Sequence, residues 1–240
     1  MLPIEVVYED NNVLVINKPA GLLVHQTHES KEATLVDWLL KRYPDIGEVG
    51  EEQTLANGVR IKRPGIVHRL DKDTSGVMVI AKNQQAYDFL KSQFQNRKVR
   101  KTYRALVYGN VRDSEGVIDT PISKSQKDFR AFTTARGRGE EREAETEYKV
   151  LERFRGYTFL EVRPRTGRTH QIRVHLRSVN HAVVCDALYA KGRECPGGIG
   201  RQALHAYTLE LAMPFDETIV RLEAELPEDF AASLAHLRAL

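Results

Sequence analysis

Apolar and polar positions along this chain define many short β-strands and only a few helices. The clearest strand alternates Val220, Leu222, Ala224 and Leu226 with charged residues, which is the pattern of a half-buried strand. A continuous apolar run at residues 76–81 indicates a fully buried strand. The other predicted strands lie at residues 4–8, 13–17, 102–108, 145–151, 157–162 and 203–211.

Four segments have the apolar spacing of helices. The first spans residues 34–43 and ends before Pro44, the second follows Asn83 as its N-cap, the third spans about residues 169–179, and the fourth follows Pro227. The residues expected to face the core are Ala86, Phe89, Leu90 and Phe94 in the second helix, Ile172, Leu176 and Val179 in the third, and Phe230, Leu234 and Leu237 in the fourth.

The order of these elements predicts the fold class. Strands outnumber helices and do not alternate strictly with them, so we expect an α+β fold with a mixed, largely antiparallel sheet rather than a doubly wound one. Residues 45–64 are expected to form a loop, and the polar, charged stretch at residues 123–143 a long exposed loop or mobile hairpin. Because no repeat or change of composition divides the chain, residues 1–240 are expected to form a single domain.

Composition narrows the class of protein. The chain is 41% hydrophobic and 29% charged, as expected for a folded globular protein. No apolar run is long enough to cross a bilayer. The first residues also lack the basic region and apolar core of a signal peptide, so we expect a cytoplasmic protein.

The chain has two cysteines, Cys185 and Cys195. A reducing cytosol disfavours a disulfide between them. His181 lies four residues before Cys185, but no CxxC pair or zinc-deaminase pattern accompanies it. We therefore expect two ordinary thiols and no metal site.

Basic residues are concentrated in two stretches. The net charge is only +3, but residues 97–104 and 163–177 contain several arginines each and no acidic residue. Such clusters form either a binding surface for the phosphates of a nucleic acid or a solvated charged face. Because the chain has two such clusters, we favour a surface that binds nucleic acid.

The segment most suggestive of catalysis is HRLDKDTSG at residues 68–76, a charged loop that leads into the buried strand. Asp71 lies among Arg69, His68 and Lys72, and nearby cations keep a carboxylate ionised. An ionised carboxylate can act as a nucleophile at a sugar carbon or as a base. The alternative is that Asp71 and Asp73 are only turn residues.

A resemblance favours the catalytic interpretation. HRLDKDTSG resembles the active-site motif of RluA-type RNA pseudouridine synthases, in the RluA/RsuA superfamily. Other segments resemble further family motifs, in family order, and together they span nearly the whole chain. These segments are VYEDNNVLVINKPAGLLVH at 7–25, RKTYRALVYG at 100–109, RPRTGRTHQIRVHLRSVNHAVVCDALY at 163–189 and RQALHAYTLELAMP at 201–214.

The resemblance implies a role for four residues. Asp71 matches the catalytic aspartate, and Arg173 matches the arginine that pairs with it, although Arg173 could instead pair with a surface acid. Arg69 matches the arginine that fills the space left when the target base is extruded. Tyr103 matches a catalytic tyrosine that packs against this base and could take part in removing its proton, and the alternative is a core aromatic residue.

Further residues of the matching motifs are expected to contact the substrate. Lys18 could bind RNA or complete a turn, and His170 could simply fix its loop by hydrogen bonds. Arg168 follows Gly167 and is a candidate phosphate contact. The remaining candidates for substrate binding are His68, Thr169 and Gln171.

The resemblance also implies the reaction and the partner. Conversion of uridine to pseudouridine neither adds nor removes atoms, so no redox or nucleotide cofactor is expected. The expected partner is a stem-loop of rRNA or tRNA, and the protein is expected to be a monomer. Many relatives carry an S4-type RNA-binding domain that has no match here, so we expect the basic stretch at 124–138 to help select the RNA. The alternatives are a non-catalytic RNA-binding or ribosome-assembly factor of the same fold and a glycosidase, which needs a second paired carboxylate.

Overall fold

The computed structural model describes residues 3–26, 32–54 and 60–240. Its backbone groups into two compact units: unit 1 comprises Met1–Arg100 and Thr208–Ala224, and unit 2 comprises Lys101–Tyr207 and Glu225–Leu240. The fold is α+β, with a large, mostly antiparallel sheet, and the described residues include four α-helices. This confirms the predicted fold class. The single domain over residues 1–240 stays a prediction.

Unit 1 is built on a strand pairing with a fully buried centre. Its strands are β1 (Glu5–Glu9), β2 (Val13–Lys18), β3 (Glu52–Thr54), β4 (Arg60–Lys62) and β5 (Ser75–Ala81), and its helices are α1 (Leu35–Arg42) and α2 (Gln84–Gln95). Strand β2 pairs antiparallel with both β1 and β5. Every residue of β5 is buried, which confirms the buried strand predicted from its continuous apolar run.

Both helices of unit 1 begin at a capping residue, which for α2 is the predicted Asn83. The Asn83 side chain accepts a hydrogen bond from the backbone N–H of Ala86, so it is the N-cap of α2. Thr34 and Asp37 form a reciprocal capping box at the start of α1. The predicted loop at 45–64 contains a 3₁₀ helix (Pro44–Glu48) and the pair β3–β4, while its residues 55–59 lie outside the described part of the chain.

Unit 2 contains most of the remaining strands. These are β6 (Arg100–Tyr108), of which only Arg100 belongs to unit 1, β7 (Glu115–Asp119), β8 (Ile122–Lys124), β9 (Phe132–Thr133), β10 (Arg138–Arg142), β11 (Glu145–Phe154) and β12 (Tyr157–Pro164). Strands β6, β12, β11 and β7 pair antiparallel in that order. The helices are α3 (Gln171–Ser178) and α4 (Glu228–Arg238). Strand β13 (Leu204–Ala212) has residues in both units and pairs with β14 (Ile219–Glu223).

The core of unit 2 agrees with most of the predicted helix faces. Ile172, Leu176, Phe230, Leu234 and Leu237 all pack in one buried cluster. Burial of such side chains contributes about 1.5–3 kcal/mol each. The prediction that Val179 faces the core is wrong: it is 40% exposed, because α3 ends one residue earlier.

The expectation of two separate thiols is also wrong. Cys185 and Cys195 form a disulfide, with their Cα atoms 5.5 Å apart. The intervening residues turn the chain back, which brings together two cysteines that are ten positions apart. The expectation rested on the redox state of the cytosol and had no information on this geometry.

The predicted loop or hairpin at 123–143 contains a small three-stranded sheet in the order β10-β8-β9. Ile122 and Ala131 are buried with Val174 and Tyr189, so one side of this sheet is packed against α3 and the loop that follows it. The turn between β8 and β9 carries Phe129, which is 67% exposed. We call residues 122–142 the small sheet.

Candidate active site

Asp71 begins a turn immediately before the buried strand β5. The backbone N–H of Thr74 donates to the carbonyl of Asp71 at 3.2 Å, and Thr74 itself is buried. Asp71 is half-buried. The turn is therefore attached to a rigid strand on one side, which is the setting expected for a positioned carboxylate.

Lys18 fixes this turn from the interior. Its side chain is fully buried, and its ammonium donates to the carbonyls of Pro19 at 2.8 Å, Leu22 at 2.9 Å and Lys72 at 3.0 Å. The N–H of Gly21 also donates to the carbonyl of Lys72. Of the two roles that the sequence left open for Lys18, this placement favours completion of a turn, and its burial argues against contact with RNA.

His68 supports the same loop from its other side. Its Nε2 accepts a hydrogen bond from the backbone N–H of Val79 in β5 at 3.0 Å. Its ring stacks on Phe94 of α2, with centroids 4.5 Å apart and planes 16° apart. His68 thus connects the loop to a strand and a helix of unit 1, so the ring has a clear structural use.

Arg69 is exposed, and its guanidinium contacts a buried histidine. Nη1 of Arg69 lies 2.8 Å from Nε2 of His25, while Nδ1 of His25 lies 3.0 Å from the carbonyl of Gln26. Burial, with a smaller contribution from the nearby charges of Arg69 and Arg63, lowers the pKa of His25 to about 4 against the opposing effect of its hydrogen bond to the Gln26 carbonyl. Neutral His25 therefore carries its proton on Nδ1 and accepts from Arg69, which gives this exposed arginine a fixed anchor.

Tyr103 lies on β6 of unit 2. It pairs with Val162 across the strands and is partly buried against the hydrophobic cluster of the unit. The neighbouring Arg104 points to the opposite face of the strand, where it forms an ion pair with Glu161 and lies over the ring of Tyr207 at 4.3 Å. Partial burial of Tyr103 is compatible with packing against the target base and also with a core position.

Arg173 of α3 forms a two-pronged ion pair with Asp186. Nε donates to Oδ2 at 2.6 Å and Nη2 donates to Oδ1 at 2.9 Å. Asp186 is fully buried, so this partner is an interior acid, not the surface acid considered from the sequence. A guanidinium has five donors, and the pair occupies two of them. The pairing of Arg173 with Asp71 stays a prediction.

The loop before α3 is organised by Gln171. The side chain of Gln171 is buried, and its amide bonds to the carbonyl of Glu145, the hydroxyls of Thr146 and Thr166, and the N–H of Arg168. This placement argues against contact between Gln171 and RNA. Its use in fixing a loop is a role that sequence reasoning missed.

The other residues of this loop are more accessible. Thr169 is exposed and Arg168 half-buried, with Nε of Arg168 donating to the carbonyl of Glu143 at 3.0 Å. His170 has a positive φ of 55°, and its Nδ1 lies 3.0 Å from the hydroxyl of Tyr189. This contact agrees with the loop-fixing role considered for His170 and does not test substrate binding.

Sequence reasoning missed three residues around the candidate side chains. His25 holds Arg69, Asp186 holds Arg173, and Tyr189 contacts both His170 and the small sheet. All three fall within segments that resemble family motifs. That resemblance was the only available signal, because each contact joins residues that are 13 or more positions apart.

The comparisons with known proteins define the class. Residues 12–178 match the family model described as RNA pseudouridylate synthase. Among solved structures, human RNA pseudouridylate synthase domain containing 1 has a TM-score of 0.73 and 28% identity, with 96% of this chain and 87% of the human chain covered. The fold is therefore that of an enzyme class that modifies RNA.

Two curated relatives extend the match along the chain. The uncharacterized RNA pseudouridine synthase YlyB of Bacillus subtilis is 39% identical over 99% of this chain and 74% of its own length. Ribosomal large subunit pseudouridine synthase D of Xanthomonas campestris is 41% identical over 99% of this chain and 70% of its own. The chain belongs to the RNA pseudouridine synthase family, which confirms the RluA-type resemblance. It is thus an isomerase that acts on RNA.

No helix among the described residues is long and apolar enough to span a bilayer.

Proposed function

We propose that this protein converts specific uridines of rRNA or tRNA to pseudouridine with Asp71 as its catalytic carboxylate. The observation that supports this role most directly is the anchored turn: Asp71 is half-buried, and the next residue is fixed through its carbonyl by Lys18 and Gly21. A carboxylate on so constrained a turn can be held near C1′ of the sugar or C6 of the base without a large entropic cost during reaction.

The reaction requires a small set of groups, which the chain contains. The C1′–N1 bond breaks, the base rotates, and C1′ joins C5. The C5 proton then leaves and N1 takes up a proton, so the step balances. Arg173 is proposed to keep Asp71 ionised by its positive charge. Tyr103 is proposed to stack on the uracil. No cofactor enters this scheme, because no atom is gained or lost overall.

Arg69 is proposed to stabilise the extruded state of the RNA. Removing a base from its stack costs a few kcal/mol. An arginine that fills the vacated space and pairs with the remaining strand offsets part of this cost. Its guanidinium is exposed and anchored by the buried ring of His25, so little additional side-chain order is lost when RNA binds.

The small sheet is proposed to contact the RNA. It carries Arg136, Arg138 and Arg142 together with the exposed ring of Phe129. Arginines bind phosphates and an exposed aromatic ring can stack on a base, so this combination suits single-stranded or loop RNA. Thr169 and Arg168 are proposed as additional contacts.

The target is proposed from the names of relatives. Several are ribosomal large subunit pseudouridine synthases D, including those of Xanthomonas campestris and Pseudomonas aeruginosa, so large-subunit rRNA is the first RNA to inspect. A monomeric state and a cytoplasmic location belong to the same proposal.

A base-by-base pseudouridine map of total RNA tests the proposal. The map is compared between strains with the gene intact, deleted, or carrying Asp71→Asn, and a strain with Asp73→Asn serves as the matched control in the same turn. We expect one or a few signals to vanish in the deletion and Asp71→Asn strains and to persist with Asp73→Asn. Persistence of every signal in the deletion strain would favour the non-catalytic RNA-binding factor.

A further inference from the structure

Asp186 is a buried carboxylate of unit 2 that accepts four hydrogen bonds and to which no function has yet been given. It is fully buried, receives both bonds from Arg173, and accepts the backbone N–H groups of Leu188 and Tyr189 at 3.0 Å each. Burial raises the pKa of this carboxyl, but the hydrogen bonds and charge of Arg173, with the two amides, lower it more. The net pKa lies below the ordinary value, so Asp186 is ionised at neutral pH.

The geometry of the pair fixes the direction of the guanidinium. Asp186 occupies the edge formed by Nε and Nη2, so the plane of Arg173 and the direction of its Nη1 are set. The ring of Tyr189 lies 5.0 Å from the guanidinium carbon and restricts it further. A free arginine would sample many rotamers, whereas this one is held by an interior acid and an aromatic ring.

Tyr189 connects this arrangement to the candidate RNA contacts. Its hydroxyl accepts the N–H of Phe132 in the small sheet at 2.9 Å and lies 3.0 Å from Nδ1 of His170. Because Asp186 holds the N–H of Tyr189, one carboxylate organises both Arg173 and the residue that contacts the small sheet. Asp186 therefore has contacts beyond those of an isolated ion pair with Arg173.

We propose that Asp186 is a positioning residue for catalysis, which acts through Arg173 by fixing the direction of its guanidinium. The inference rests on the proposed function, in which Arg173 is the charge partner of the catalytic carboxylate. Asp186 itself touches no reacting atom. A displacement of about 1 Å at a reacting site can cost about 100-fold in rate, so loss of this anchor is expected to affect turnover more than binding.

A double-mutant cycle separates this role from a structural one. The variants are Asp186→Asn, Arg173→Lys and the double variant, and the substrate is total RNA from a strain in which the gene is deleted. We expect Asp186→Asn to lower kcat about 100-fold, with KM for the RNA changed less than about 3-fold. If Asp186 acts only through Arg173, the double variant is no slower than the slower single variant.

Asp229→Asn is the matched control. Asp229 forms a similar two-pronged pair with Arg201 in the same unit, at 2.7 and 2.8 Å. We expect this variant to lower the thermal midpoint and to leave kcat within about 2-fold of the wild type. An equal loss of kcat in Asp229→Asn and Asp186→Asn would mean that any broken ion pair of unit 2 has this effect, and would overturn the proposal.

Asp186→Glu guards against misfolding of the asparagine variant. It keeps the charge but lengthens the side chain by one methylene, so the ion pair persists while the guanidinium is displaced. We expect kcat to fall at least about 10-fold with a circular dichroism spectrum like that of the wild type. Normal kcat in both Asp186 variants, or strictly multiplicative losses in the cycle, would overturn the proposal. An inactive wild type would instead refute the proposed function.

Discussion

The buried ammonium of Lys18 gives the sharpest prediction for unit 1. Lys18→Met keeps most of the apolar stem and removes the ammonium that donates hydrogen bonds to three carbonyls. A hydrogen bond with a charged partner contributes about 1.5–3 kcal/mol. The cost of burying the ammonium offsets part of the sum of the three bonds. Removal of this donor leaves buried carbonyls less satisfied, at about 1–3 kcal/mol each, although the carbonyl of Lys72 keeps the N–H of Gly21. We therefore expect the free energy of unfolding to fall by about 3–5 kcal/mol.

Urea denaturation followed by tryptophan fluorescence measures this loss. Trp38, the single tryptophan of the chain, lies in α1 and so reports on unit 1. The matched control is Lys62→Met, because Lys62 is partly exposed and pairs at 3.2 Å with Glu48, whose side chain is 90% exposed. We expect this control to change stability by less than about 0.5 kcal/mol. A loss below about 1 kcal/mol in Lys18→Met would refute the assignment of Lys18 as the internal anchor of the Asp71 turn.

Two further predictions concern stability. Because burial and the charge of Arg69 lower the pKa of His25 from 6.5 to about 4, the folded protein keeps the ring neutral at a pH where the unfolded chain protonates it. The free energy of unfolding should therefore fall by at most about 3 kcal/mol as the pH is lowered from 6.5 to 4. Urea denaturation of His25→Gln should show a fall that is smaller by this amount. Identical pH profiles of the wild type and the variant would contradict this role of His25. Gly65 has φ of +69°, and an added Cβ would lie 2.4 Å from the carbonyl of Ala81, whereas at Gly156 (φ +80°) nothing lies within 4 Å. Gly65→Ala should therefore lower the unfolding free energy by about 2 kcal/mol more than Gly156→Ala, and equal losses would exclude the steric clash.

Local patterns determined most of the elements of this fold. Alternation and continuous apolar runs located the main strands because a side chain on a strand faces alternate sides, whatever its partner strand is. Asn83 identified the start of α2 because a cap acts on the N–H groups of its own helix. The small sheet and β7 escaped a definite assignment, since short polar strands have little apolar periodicity.

The sequence predicted the candidate catalytic residues only through their types and through the order of the motifs that contain them. The charged loop before a buried strand singled out Asp71, and the resemblance of its motif gave Arg69, Tyr103 and Arg173 their predicted roles. Family membership, which the comparisons confirm, was therefore accessible without coordinates. The atoms that hold these side chains in place could not be predicted from the sequence.

Tertiary structure alone decided how the side chains are held. Lys18 reaches the carbonyl of Lys72 across 54 positions of the sequence, and Arg69 reaches His25 across 44. Arg173 pairs with the buried Asp186, which lies 13 positions further along the chain. Periodicity reports only which side of an element is apolar, whereas a buried charge must be matched by specific donors or acceptors that the fold brings from distant segments. The sequence by itself thus determined the elements and the family, and the packing of these elements determined the partner of each buried polar group.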